Sequence, residues 1–219
     1  MRTELVMPTP TEILAGLGHI ANDAWFLALA WHALVAIAAG AMLNGARPSG
    51  RATGLASSAL PLSVSGLAWV YGNPFNGAVF ALLGAGLAAV AARSDRTPIA
   101  LRVGWPRWLG ALLAGFGWIY PHFLDASPSA YLVAAPLGLV PCPTLSMMLG
   151  LALLGVRPAG RAWPTLLIGA SGFYALVGAL RLGVWIDLVM IAGAVGLAIA
   201  TWQERRDRAT GASTADARA

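Results

Sequence analysis

The sequence contains one hexapeptide motif twice, as Arg47-Pro48-Ser49-Gly50-Arg51-Ala52 and again as Arg157-Pro158-Ala159-Gly160-Arg161-Ala162. Each copy directly follows a long apolar segment, and the two copies lie roughly half a chain apart. This arrangement is typical of a duplicated membrane unit, in which one loop recurs at equivalent ends of two groups of helices. The motif therefore predicts an internal repeat and two loops on the same side of a membrane.

The composition indicates an integral membrane protein. Of the 219 residues, 58% are hydrophobic and only 11% are charged, whereas soluble domains carry roughly 25% charged residues. The cationic residues are all arginines, and they occur in short clusters between apolar segments, which argues against nucleic-acid binding. The absence of lysine excludes a retinal Schiff base. We therefore expect an all-α protein whose main partner is the lipid bilayer.

The apolar segments predict seven transmembrane helices, because about 20 apolar residues are needed to cross a bilayer. They belong to a single transmembrane domain over residues 1–208, and residues 209–219 are predicted to form a disordered cytoplasmic tail. The predicted segments are approximately 20–43, 54–72, 75–92, 104–124, 130–155, 162–181 and 184–202.

The arginine and tryptophan distributions predict the orientation of these helices. Arginines cluster after the first, third, fifth and seventh segments, so the positive-inside rule places the amino terminus outside and the carboxyl terminus in the cytoplasm. Tryptophans near the ends of membrane helices form interfacial belts. Those near predicted outer ends are Trp25, Trp69, Trp118 and Trp185, and those near inner ends are Trp105, Trp108, Trp163 and Trp202.

The internal similarity extends beyond the arginine loops. Gly86-Leu87-Ala88 in the third segment resembles Gly196-Leu197-Ala198 in the seventh. We therefore predict two parallel repeat units, about 20–92 and 130–202, joined by a linker helix at about 104–124. The alternative is chance similarity in a chain rich in Gly, Ala and Arg, since cytoplasmic turns favour Arg, Pro and Gly in any case.

Superposing the two arginine loops pairs His32 with Cys142, because each lies fifteen residues before the first arginine of its loop. At 1.5 Å per residue this places His32 near the bilayer midplane, where polar side chains usually face a cavity or another helix. Pro141 and Pro143 predict a break in the fifth helix, and transporters place substrates at such breaks. The candidate midplane site comprises Trp31, His32, Pro141, Cys142, Pro143 and Thr144.

Packing offers an alternative explanation for each of these residues. The prolines would then only kink a helix, and Cys142 would be a small packing residue. His32 alone is better explained by a hydrogen bond to a neighbouring helix.

A second candidate site is a divalent-metal site at the outer face. His19 and Asp23 share one side of the first helix at i, i+4 spacing, and His122 follows the fourth segment. Histidine and carboxylate side chains are ligands for Zn²⁺ and similar ions. Solvated interfacial residues, together with an Arg181–Asp187 ion pair, offer an alternative interpretation.

Several short motifs carry a resemblance to a known family. They are Asn22 with Trp25, Asn73-Pro74, and above all Pro141-Cys142-Pro143-Thr144 followed by a Leu- and Gly-rich helix. With these motifs the chain resembles a family of bacterial multi-pass membrane proteins that is classed only as a domain of unknown function. The resemblance implies a location in the bacterial inner membrane and implies no activity.

These features together predict a small transporter or permease-like protein that moves a small solute or metal ion. Its site would lie between the two three-helix units. One alternative is a membrane-embedded metal-binding protein or metalloenzyme that uses the outer-face site. Another is an accessory subunit or sensor that packs against other membrane subunits or forms a homo-oligomer. No residue pattern in the chain identifies catalytic residues.

Overall fold

The computed structural model describes residues 8–216, with side chains described from Pro8 to Asp207. The described part is built from helices, with one isolated bridge between Ser49 and Pro98. The α-helices are α1 (Pro10–Asp23), α2 (Trp25–Leu43), α3 (Gly50–Val70), α4 (Pro74–Ala92), α5 (Trp105–Ile119), α6 (Tyr131–Ala134), α7 (Pro141–Leu153), α8 (Ala162–Leu176) and α9 (Val189–Asp216).

Five helical stretches within the described residues are long and apolar enough to cross a membrane, which confirms a multi-pass helical membrane protein. α5 and α7 have only 15 and 13 residues, fewer than the roughly 20 that a crossing helix needs. Seven complete crossings therefore stay a prediction. The five stretches are Trp25–Leu43, Gly50–Val70, Pro74–Ala92, Ala162–Arg181 and Trp185–Asp207.

The first predicted segment is divided between α1 and α2. α1 begins with a capping box in which Thr9 and Glu12 satisfy each other's backbone donors. Hydrogen bonds from the Thr9 backbone and side chain lower the pKa of Glu12. The helix ends at Asp23, and α2 starts anew after Ala24, whose ψ of 21° departs from helical geometry.

α7 lies at the centre of the fold, and 12 of its residues are buried. α5 approaches it in backbone contact. A Cβ atom on Gly117 would lie 2.7 Å from the carbonyl oxygen of Pro143, and one on Gly110 would lie 2.8 Å from that of Gly150. These glycines let the two short helices pack more closely than any larger side chain would permit.

The break in the fifth predicted helix lies before Pro141 and Pro143 rather than at these two prolines. After α6 the chain is irregular over residues 135–140, and Pro141 is the first residue of α7. Proline is favoured there because the first residues of a helix have no intrahelical partner for their N–H groups. Residues 135–140 are all buried in protein, as irregular backbone at membrane depth requires.

The predicted cytoplasmic loops meet at one end of the fold, which we call the basic end. The amide of Gly50 donates to the Thr97 carbonyl at 3.0 Å, and the amide of Ile99 donates to the Pro48 carbonyl at 2.9 Å. On α9, Glu204 forms ion pairs with Arg102 and Arg157. The basic end thus consists of residues 44–51, 93–104 and 154–161 with α9 near Glu204, and we call the opposite end the distal end.

Removing the shared carboxylate is expected to loosen the basic end. Arg157 is almost completely buried, so Glu204→Gln removes a carboxylate charge from beside a guanidinium in a poorly hydrated place. We expect the melting temperature of the purified protein to fall by roughly 5 °C. Asp95→Asn, at an exposed loop position, is the matched control and should have no effect. Equal melting temperatures for the two variants would contradict this role.

One sequence prediction differs from the structure: Trp163 is buried, so it is not part of an interfacial belt, whereas Trp25, Trp69 and Trp202 are exposed. The backbone of α9 is helical as far as Asp216, and residues 217–219 lie outside the described part. α2 is peripheral and α7 is central. The disordered tail and the two repeat units stay predictions.

Candidate functional site

The most unusual polar group in the core is the carboxyl of Asp187, which is 1% exposed. The hydroxyl of Tyr120 donates to Oδ1 at 2.6 Å, and the thiol of Cys142 donates to Oδ2 at 3.1 Å. Both carboxyl oxygens are therefore bonded inside the protein. We call Tyr120, Cys142, Gly178 and Asp187 the Asp187 cluster.

Four different elements bring these residues together. Tyr120 directly follows α5, Cys142 is the second residue of α7, and Asp187 lies in the 3₁₀ turn Trp185–Leu188 that precedes α9. The end of α8 opens into the π-helical turn Val177–Arg181, where a Cβ on Gly178 would overlap Oδ2 of Asp187. The missing side chain of Gly178 is thus what admits the carboxyl.

The Asp187 carboxyl lies beside the amino-terminal end of α7, because Cys142 in the first turn of that helix donates to it. Pro141 and Pro143 have no backbone N–H group, so the first turn of α7 offers the carboxyl few main-chain donors. The groups that bond the carboxyl are the Tyr120 hydroxyl and the Cys142 thiol. Because α7 starts inside the protein, its first turn brings Cys142 to the carboxyl in the core.

A second buried pair adjoins the Asp187 cluster. The hydroxyl of Tyr174, on α8, donates to Oδ1 of Asn76 at 2.8 Å, and both residues are buried. Tyr174 and Cys142 belong to the same cluster of buried core residues. The pair therefore extends the polar interior from α7 and α8 to the start of α4.

A cavity opens at the distal end, beside the residues that follow Tyr120. It has a volume of about 650 Å³ and is lined by His19, Asn22 and His122, among others. Asn22 secures the neighbouring loop, donating to the Phe123 carbonyl at 2.8 Å and accepting from the Asp125 amide at 2.9 Å. The cavity lining thus begins one residue after Tyr120, whose hydroxyl donates to Asp187.

The predicted midplane residues occupy neighbouring but distinct positions. Cys142 belongs to the Asp187 cluster, and Pro141 and Pro143 form the first turn of α7. Thr144 holds the irregular segment: its hydroxyl accepts from the Gly138 amide at 2.9 Å and donates to the Val140 carbonyl at 2.8 Å. The indole of Trp31 packs over Gly138 and donates to the Ser63 hydroxyl at 3.0 Å.

His32 joins α2 to α5. Its Nδ1 lies 2.8 Å from the Ala28 carbonyl oxygen, and its Nε2 lies 2.9 Å from that of Trp118. A neutral imidazole can donate to one of these oxygens, and an imidazolium ion can donate to both. This contact matches the interpretation of His32 as a hydrogen-bonding residue between helices, and its partners differ from those of Cys142.

The proposed metal ligands are only partly assembled. His19 Nε2 lies 3.3 Å from Asp23 Oδ2, and both side chains are exposed. Partial burial and the Asp23 carboxyl raise the pKa of Tyr71, whose ring edge meets His19. Among the described residues, no three His, Cys, Asp or Glu side chains gather at one point.

The alternative ion pair between Arg181 and Asp187 is wrong. Asp187 is turned into the core, and Arg181 donates instead to the Pro8 carbonyl at 3.4 Å. The sequence did contain a signal for the buried role, because Asp187 is the only acidic residue between Asp125 and Glu204 and is surrounded by apolar residues. An isolated acid in an apolar segment is a candidate functional residue by itself.

No protein-family model matches the chain, and no curated protein or solved structure matches it either. The functional conclusion therefore depends on the geometry of the site.

Proposed function

We propose that the protein is a small membrane transporter that couples movement of a small solute to proton binding at Asp187. The observation that carries this proposal is the burial of one carboxyl among apolar helices, with a phenol and a thiol donating to its two oxygens. Ionisable groups inside a membrane are costly, and they typically mark ion pathways and proton relays.

The shape of α7 supports transport over a purely structural role. Transporters bind substrates and ions where a helix is interrupted and its free end points into the interior. α7 begins inside the protein after the buried irregular segment 135–140, and its first turn carries Cys142. The chain thus provides a helix end, a carboxyl and non-helical backbone in one place.

The distal cavity supplies a route for protons from one face. His122 lines this cavity two residues after Tyr120, whose hydroxyl donates to Asp187, so we place the proton route between the cavity and the carboxyl along this stretch. We place the solute site next to the Asp187 cluster, toward Trp31 and Thr144, since these residues border the irregular segment.

The membrane arrangement belongs to the same proposal. We propose a bacterial inner-membrane protein that crosses the membrane seven times as parallel 3+1+3 units, with the basic end in the cytoplasm. The arginine clusters support this orientation, and the resemblance to a bacterial membrane family supports the bacterial inner membrane. α5 and α7 would complete their crossings together with the loop residues that flank them.

Proton movement can be measured before the solute is known. Purified protein would be reconstituted into liposomes that contain a pH-sensitive dye, and a potassium diffusion potential would drive protons inward. We expect a pH change above that of empty liposomes, increased by the transported member of a panel of sugars, small acids and divalent metals. A pH change no larger than that of empty liposomes under every condition would contradict the proposal.

Tyr120→Phe tests the role of the phenol. The substitution removes the hydroxyl that donates to Asp187 but keeps the ring, which packs against Phe116. A hydrogen bond to a charged group contributes about 1.5–3 kcal/mol of stabilisation. Loss of this stabilisation from the barrier to proton transfer corresponds to a fall in proton flux of roughly tenfold or more. Tyr71→Phe removes a hydroxyl at the protein surface and should leave the flux unchanged. Unaltered flux in Tyr120→Phe would remove the phenol from the mechanism.

Metal binding at the distal end is a second candidate function, favoured by the common cavity of His19 and His122. Elemental analysis of the purified protein would test it. The candidate requires stoichiometric metal that is lost in the double variant His19→Ala/His122→Ala. Absence of metal, or metal retained in that variant, would eliminate it.

A further inference from the structure

One face of α8 is buried and connects the Asp187 cluster with the basic end. Its residues recur at three- and four-residue intervals, so they lie above one another along the helix. From residue 163 to residue 178 this face is about 22 Å long. The face consists of Trp163, Leu167, Ser171, Tyr174 and Gly178, and all five are buried.

Two polar atoms on the α8 face have no hydrogen-bond partner among the described residues. They are the hydroxyl oxygen of Ser171 and the indole nitrogen of Trp163, whose residues are 0% and 1% exposed. An unpartnered buried polar group costs roughly 1–3 kcal/mol. Such groups in a native protein call for an explanation, and a small polar ligand such as water provides one.

Comparable side chains elsewhere in the core are bonded to the protein. The hydroxyl of Ser146 donates to the Leu113 carbonyl at 2.9 Å, and that of Ser65 donates to the Gly77 carbonyl at 2.7 Å. The unpartnered hydroxyl of Ser171 is therefore a property of this face of α8 and not of buried serines in general.

We propose that the α8 face binds water and forms the inward half of the proton path, from the Asp187 cluster to the basic end. The inference rests on the proposed transport function. A proton released by the Asp187 carboxyl passes to water beside Tyr174 and Ser171, leaves at the basic end, and the carboxylate remains behind. No oxidation or reduction is involved.

The position of Leu167 gives this path a closed state. Trp163 and Ser171 are about 12 Å apart along the helix, and Leu167 is completely buried between them. A short apolar constriction stops a water chain by dewetting. The inward half is closed in this conformation, while His122 and the distal cavity serve the opposite face. This is one of the two alternating states that a coupled transporter needs.

Cysteine labelling in nanodiscs tests the path without knowledge of the solute. Ser171→Cys and Ser146→Cys would each be made with Cys142→Ser, so that the added thiol is the only one in the protein. Both serines are 0% exposed, but only the hydroxyl of Ser146 has a protein partner. We expect a small charged methanethiosulfonate reagent to modify Cys at position 171 at least tenfold faster. Equal rates at the two positions would overturn the proposal.

Trp163→Phe provides a second readout if the serine variant does not fold. It removes the indole N–H and keeps an aromatic ring, so proton flux should fall several-fold while the melting temperature changes little. Unchanged flux in Trp163→Phe would also count against the path. If labelling rates are equal while Asp187→Asn still abolishes flux, the path is wrong and the function of Asp187 stands. If the unmodified protein moves no protons, the proposed function fails whatever the labelling result.

Discussion

Replacing Asp187 by asparagine is expected to abolish proton flux in reconstituted liposomes, with a reduction of roughly 100-fold or to the level of empty liposomes. Asparagine has nearly the same shape as aspartate and can still accept from Tyr120, but it does not bind and release a proton. Dye-loaded liposomes under a potassium diffusion potential provide the measurement.

The control for this variant is Asp95→Asn, which removes a carboxyl from an exposed loop at the basic end. It carries the same charge change and should retain full flux. Gel filtration and the melting temperature would establish that Asp187→Asn is folded. A folded Asp187→Asn protein with normal flux would show that another group carries the proton.

Replacing Gly150 by alanine is expected to destabilise the protein by about 3 kcal/mol, at the upper end of the usual cost of overpacking. A Cβ on Gly150 would lie 2.6 Å from the Gly110 carbonyl oxygen and 2.8 Å from Cα of Ala114. The opposing atoms are backbone, so α5 and α7 must move apart for the methyl group to fit. Thermal unfolding in detergent should show a melting temperature lower by roughly 10 °C.

Gly115→Ala is the matched control for this effect. Gly115 lies on α5, and a Cβ there would meet no atom within 4 Å. The exposed substitution should be neutral or slightly stabilising, since alanine has the higher helix propensity. If Gly150→Ala and Gly115→Ala melted at the same temperature, the close backbone packing of α5 and α7 would not be an important source of stability.

The apolar segments of the sequence predicted the membrane class and the regions of the five long helices. They could not predict how the region 130–155 is divided, because α6, the irregular segment and α7 are uniformly apolar. A buried helix and a lipid-facing helix have similar composition. The interruption before Pro141 depends on tertiary burial of residues 135–140, which hydropathy alone does not reveal.

The candidate site was only half predictable. Cys142 and its flanking prolines stood out in an apolar segment, and the structure does place Cys142 at a buried carboxyl. Asp187 was expected to pair with Arg181 at the outer face. The π-helical turn at Val177–Arg181 and the absence of a side chain at Gly178 bring the carboxyl inward instead. Such local distortion leaves no periodic signal in the sequence.

The central claim is that the Asp187 carboxyl binds and releases a proton inside the membrane. Infrared difference spectroscopy of the reconstituted protein across a pH titration tests this most directly. We predict a carbonyl band of a protonated carboxyl that appears and disappears with pH and is missing from Asp187→Asn. A spectrum in which Asp187→Asn and the unmodified protein show the same pH-dependent carboxyl bands would contradict the claim.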